Sequence, residues 1–62
     1  MNDYELYMKA FRANNVDLCL QIEKRYQVDG YSPNIASAVI RRVAVDGDDL
    51  EDVLQDIDNY VS

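Results

Sequence analysis

Carboxylates dominate the chemistry available to this 62-residue chain, with twelve Asp and Glu against six Lys and Arg, one cysteine and no histidine. Seven of the acids (Asp46, Asp48, Asp49, Glu51, Asp52, Asp56 and Asp58) fall in the last twenty residues, a stretch without a single base. The six cations (Lys9, Arg12, Lys24, Arg25, Arg41 and Arg42) lie upstream among five acids, so the first forty-two residues carry +1 and the remainder −7. Paired carboxylates can act as general acid and base, but a chain this short can hardly enclose a cleft that would separate their pKa values. Nucleophilic catalysis has little to draw on: threonine is absent, and Ser32, Ser37 and Ser62 are the only hydroxyls besides the tyrosines. The run Asp46-Gly47-Asp48-Asp49 invites a calcium reading, yet it lacks the twelve-residue loop with glycine at position six and a bidentate Glu at twelve. With one thiol, Cys19, and no histidine, the usual zinc ligand sets are missing and no intrachain disulfide can form. The expectation is a protein that is not an enzyme and carries no cofactor or metal.

Recognition is the chemistry that remains. An acidic segment can stay solvated, meet a basic protein, or neutralise the basic half of another copy. The pairs Lys24-Arg25 and Arg41-Arg42 could contact phosphates, which makes a nucleic-acid-associated dimer the alternative reading. Two short pairs in a chain of net charge −6 are a thin electrostatic footprint for that role. Five tyrosines (Tyr4, Tyr7, Tyr26, Tyr31 and Tyr60) are well suited to contacts, since each ring buries area while its hydroxyl finds a partner. Cys19 sits beside an apolar stripe and reads as a small core residue.

The elements that must position these groups are helices. The first is expected from about Tyr4 to Ala13, capped by Asn2 or Asp3, with Tyr4, Tyr7, Met8 and Phe11 on its main apolar face and Leu6, Ala10 and Ala13 on a smaller strip. Asn14-Asn15 ends it, because Asn tolerates the left-handed turn and also caps well. The second runs from after Asn15 to about Tyr26; Leu18, Cys19, Ile22 and Tyr26 line its core face, Glu23, Lys24 and Arg25 lie mostly outside, and Leu20 falls off the stripe. Asp29-Gly30 marks a turn. Ser32 and Pro33 open a third helix that reaches about Ala44, with Ile35, Ala36, Val39, Ile40 and Val43 on a wide arc and Arg41 and Arg42 at its negative end. After the Asp46-Gly47 turn, a fourth helix is expected from an Asp48 cap with Glu51 in a capping-box-like position. Its stripe is Leu50, Val53, Leu54, Ile57 and Val61.

The connection between the second and third helices is longer than the three or four residues of a DNA-binding helix-turn-helix. The fold class expected is all-α: a single domain over residues 1–62, a compact bundle of four short helices arranged as two helical hairpins. The outer side of the fourth helix (Glu51, Asp52, Gln55, Asp56, Asn59 and Tyr60) is the candidate partner-binding surface. A domain of this size is marginal on its own, and its hydrophobic content of 48% exceeds what four helices need inside. Leu6, Leu20, Ile35, Val39 and Val45 are therefore the candidate interface of a homodimer. No apolar run approaches a membrane span, and Met1-Asn2-Asp3 lacks a signal-peptide layout, so the expected location is the cytoplasm.

Two resemblances add to this. Gly30-Tyr31-Ser32, followed by a helix with Ala36 and Ile40 and then one with Val53 and Leu54, resembles the ubiquitin-associated domain over about two-thirds of the chain. That family has a Met-Gly-Phe loop before its second helix; Asp29 stands at the methionine position here, so the likeness implies helical shape and not ubiquitin binding. The opening Met1-Asn2-Asp3-Tyr4-Glu5, the run Asn-Asn-Val-Asp-Leu at 14–18 and Gly-Tyr-Ser-Pro at 30–33 resemble the small acidic proteins of lambda-like temperate phages, of the kind encoded between exonuclease and excisionase. That likeness implies a non-enzymatic accessory protein in the host cytoplasm, influencing the host or the lysis–lysogeny choice. It assigns no functional residue.

Overall fold

Three side-chain oxygens start three of the helices. The Oδ1 atoms of Asn2 and Asn15 accept from the N–H groups of Glu5 and Leu18 at 2.8 and 3.3 Å, and Ser32 Oγ accepts from Ile35 N–H at 3.4 Å. Each satisfies a donor that the first helical turn leaves free. The structure, a computed structural model, describes residues 1–61, with the side chain of Val61 excluded; the stripe position expected at Val61 and the hydroxyl of Ser62 lie outside the described residues. The helices are α1 (Asp3–Arg12), α2 (Val16–Arg25), α3 (Pro33–Ala44) and α4 (Leu50–Val61). The expected all-α bundle of four short helices is what forms.

Local chemistry also ends the first two helices. Asn14 has φ +59°, and beyond it Asn15 N–H reaches Ala10 O at 2.8 Å while Asn14 N–H reaches Phe11 O at 3.1 Å. This is a Schellman turn, which satisfies the last carbonyls of a helix through a left-handed residue. The same motif closes α2: Gln27 has φ +56°, Val28 N–H reaches Glu23 O at 2.9 Å and Gln27 N–H reaches Lys24 O at 3.2 Å. Gly30 and Gly47 take positive φ, +96° and +77°, in the two turns where Asp-Gly pairs were expected to redirect the chain.

Helix α1 packs against both α2 and α3, and α4 lies against α3. Two hairpins are thus joined through α1 and α3. The core holds Tyr7 and Ala10 from α1, Cys19 and Ile22 from α2, Ala36, Val39 and Ile40 from α3, Val53 from α4 and Val28 from the α2–α3 connection. Burying a Val or Ile fully stabilises the fold by about 1.5–3 kcal/mol, so this short set accounts for most of what so small a domain can gather.

The packing corrects several expectations. Phe11 was placed on the main apolar face of α1 but is half exposed, while Ala10, from the lesser strip, is buried. Because α1 is wedged between two helices, its inward line runs through Tyr7 and Ala10, and small Ala10 lets the backbones approach. Glu23, expected outside, is buried. Val39, expected in a dimer interface, is fully buried within the chain itself. Helix α4 begins at Leu50, so its N-cap is Asp49, whose carbonyl accepts from Val53 N–H at 3.0 Å. Asp48 does not cap; its carboxylate is drawn to Arg42.

Candidate functional site

The outward side of α4 is built from two adjacent rows spaced by four residues, Glu51–Gln55–Asn59 and Asp52–Asp56–Tyr60, which a helix stacks one above the other. All six side chains are exposed, and Tyr60 is 85% exposed. The opposite side supplies the anchorage: Val53 is fully buried, and Leu50, Leu54 and Ile57 pack partly against the core. The spacing that makes the apolar stripe therefore forces the acids outward.

Arg42, in the last turn of α3, holds this helix in place. Its Nε donates to Asp48 Oδ2 at 3.0 Å and its NH1 nitrogen donates to Asp56 Oδ2 at 3.1 Å. These hydrogen bonds, to Asp48 and then Asp56, push the guanidinium pKa up and keep it charged. One cation thus answers two acids, one just before α4 and one at its middle. The remaining tail acids, Asp46, Asp49, Glu51, Asp52 and Asp58, form no ion pair among the described residues.

Three of the six cations, Arg25, Arg41 and Arg42, have partners within the chain. Arg25 NH1 donates to Asp3 Oδ1 at 3.3 Å, and Tyr26 Oη donates to Asp3 Oδ2 at 2.7 Å, tying the start of α1 to the end of α2. Burial, reinforced by this bond to Asp3, pushes the Tyr26 phenol up to about 12. Arg41 lies over the Tyr4 ring at 5.8 Å from its centroid, a distance at which a cation is attracted by the ring's negative face. Of the four residues that a phosphate-binding patch would need, Arg25 and Arg42 already have carboxylate partners and Arg41 an aromatic one. No cluster of three Cys, Asp or Glu side chains fit to hold a metal occurs among the described residues. Among the described residues no helix is long and apolar enough to cross a membrane.

A second feature lies on the opposite hairpin. Phe11, Val16 and Leu20 are 50%, 59% and 42% exposed and surround a groove of about 190 Å³ between α1 and α2, with Cys19, Tyr7 and Glu23 at its base. Tyr7 Oη donates to Glu23 Oε2 at 2.9 Å inside the core. Burial first, then this bond, pushes the Tyr7 phenol far above its ordinary range. Burial, with the Glu23 charge second, also raises the Cys19 thiol, which keeps it protonated and poorly nucleophilic.

Sequence reasoning missed Glu23, although its signal was present. Residues 19, 22, 23 and 26 follow the i, i+3, i+4, i+7 spacing of one helical face, so Glu23 occupies a core position of α2. The proposed dimer residues are scattered: Leu20 and Val45 are exposed, Leu6 and Ile35 are half-buried, and Val39 is inside. Compared with protein-family models, with curated proteins and with solved structures, the chain matches none.

Proposed function

We propose that this chain is a non-enzymatic interaction protein that uses the outer side of α4 to occupy a basic surface on a regulatory protein. The observation that carries this reading is the pair of exposed rows, Glu51–Gln55–Asn59 and Asp52–Asp56–Tyr60, on a helix anchored from behind by Val53, with Asp56 in the outer row held by Arg42. A fixed acidic face loses little conformational freedom on binding and attracts basic partners from a distance. Tyr60 adds an aromatic anchor at its end. The resemblance to small acidic temperate-phage proteins points to a host or phage regulator as the partner, with lysis–lysogeny as the process influenced. The mechanism is occlusion by charge and shape, with no bond made or broken.

The test is capture from a bacterial host lysate with the native chain and with a Glu51→Gln, Asp52→Asn, Tyr60→Ser variant. A partner held at low salt, released as salt rises and absent from the variant's eluate supports the reading. Equal capture by both chains, or none by the native one, removes it.

A further inference from the structure

We propose that the groove between α1 and α2 is a second recognition site, taking a lysine or arginine side chain together with its apolar neighbour from a protein segment. Two independent features of the groove meet here. Its rim carries three exposed apolar side chains, Phe11, Val16 and Leu20, with Asn14 and Pro33 completing the lining. Its base holds a carboxylate, Glu23, that is 8% exposed and takes one hydrogen bond within the chain. Oε2 accepts from Tyr7, whereas Oε1 has no hydrogen-bonded partner among the described residues. Among the described residues no side-chain oxygen sealed from solvent lacks a partner, so Oε1 keeps some access, and Glu23 lines the groove.

A carboxylate in apolar surroundings gains most from a charged donor, because the low local polarity strengthens the pairing and a lone buried charge is costly. Among the described residues no cation pairs with Glu23. An occupant with an aliphatic stem and a terminal positive charge satisfies both halves of the site, and a neighbouring apolar residue covers the rim. A second copy is the competing occupant, and a two-fold contact centred on the groove would bring two Glu23 carboxylates toward each other. This site does not depend on the reading of α4.

The experiment follows backbone amide shifts of the isotope-labelled full chain during titration with a blocked leucyl-lysine dipeptide. A leucyl-norleucine dipeptide, which has the same stem without the ammonium, is the control. The expected result is a response confined to the groove lining, Tyr7, residues 11–23 and the amides beside Pro33, with the lysine probe binding about tenfold more tightly, the scale of one charge-assisted hydrogen bond. Glu23→Gln, which retains an acceptor for Tyr7, should abolish that preference. Leu20→Ser, at a surface position, should weaken both probes and keeps the test open if the Glu23 variant does not fold. Neutralising Glu51 and Asp52 should change nothing, which separates this site from α4. Equal binding of the two probes, a preference that survives in Glu23→Gln, or concentration-dependent shifts of the same amides without probe, meaning that a second copy fills the groove, would each overturn the proposal.

Discussion

Glu23 shows how much depends on where a single side chain lands. A glutamate next to Lys24 and Arg25 looks like a surface residue, but it sits in the core and is tolerated because Tyr7 donates to it at 2.9 Å. Removing that donor leaves a buried carboxylate without its partner. Tyr7→Phe is expected to cost roughly 1–3 kcal/mol, measurable as a lowered urea midpoint; an unchanged midpoint would mean that water replaces the phenol without loss. Tyr26 makes a parallel bond to Asp3, with a pH signature. Below pH 10 its phenol is protonated in both the folded and unfolded chain. As pH rises from 10 to about 12 the unfolded chain gives up the proton and the folded one retains it, so stability falls across that window. Denaturation followed from pH 9 upward should show this decline, and Tyr26→Phe should make it shallower; parallel curves for the two proteins would exclude Tyr26 as a contributor.

Among the elements, α4 depends most on a contact made at a distance. It touches only α3 extensively, and Arg42 spans its start and its middle through Asp48 and Asp56. Both pairs are substantially exposed, so their contribution to global stability is small, under about 1 kcal/mol. The effect of Arg42→Met is therefore expected to be local: faster amide hydrogen exchange over residues 50–60 with α1 and α2 unchanged, the behaviour of a segment that opens by itself. Exchange that accelerates equally in all four helices would show that α4 is not an independently opening unit. The caps and turns of these elements were legible beforehand, because Asn2, Asn14, Asn15, Ser32, Pro33 and the Asp-Gly pairs act on backbone within a few residues of themselves. The start of α4 was misread by one position, since Asp48 satisfies either role locally and only the nearness of Arg42 draws it away from the cap.

For the molecule as a whole, a small core leaves a narrow margin. A chain of this length is expected to have a total stability of roughly 3–9 kcal/mol, and truncating a buried Ile to Ala costs about 2–5 kcal/mol. Ile40→Ala should therefore remove a large share of that stability, seen by circular dichroism as a much lower urea midpoint, while Leu20→Ser, at the groove rim, should keep the native midpoint. An unchanged midpoint in Ile40→Ala would show that the core refills the site without loss. Of the apolar surplus expected from the sequence, Leu20 and Val45 stay exposed while Leu6 and Ile35 are half-buried and Val39 is inside; Phe11 and Val16 are exposed in addition. Phe11, Val16 and Leu20 gather at one groove instead of spreading over a face that includes Val39.

The order of residues alone determined four helices, most of their ends and the outward acidic side of α4, because capping, turn geometry and helical periodicity act over one or two turns. Only the tertiary structure decided that α1 would lie between α2 and α3, turning Phe11 outward and Ala10 inward, that Glu23 would be enclosed beside Tyr7, and that Arg42 would answer Asp48 and Asp56. Those outcomes depend on which helices meet and at what rotation. A periodic stripe specifies a face to bury, but not the neighbour that buries it.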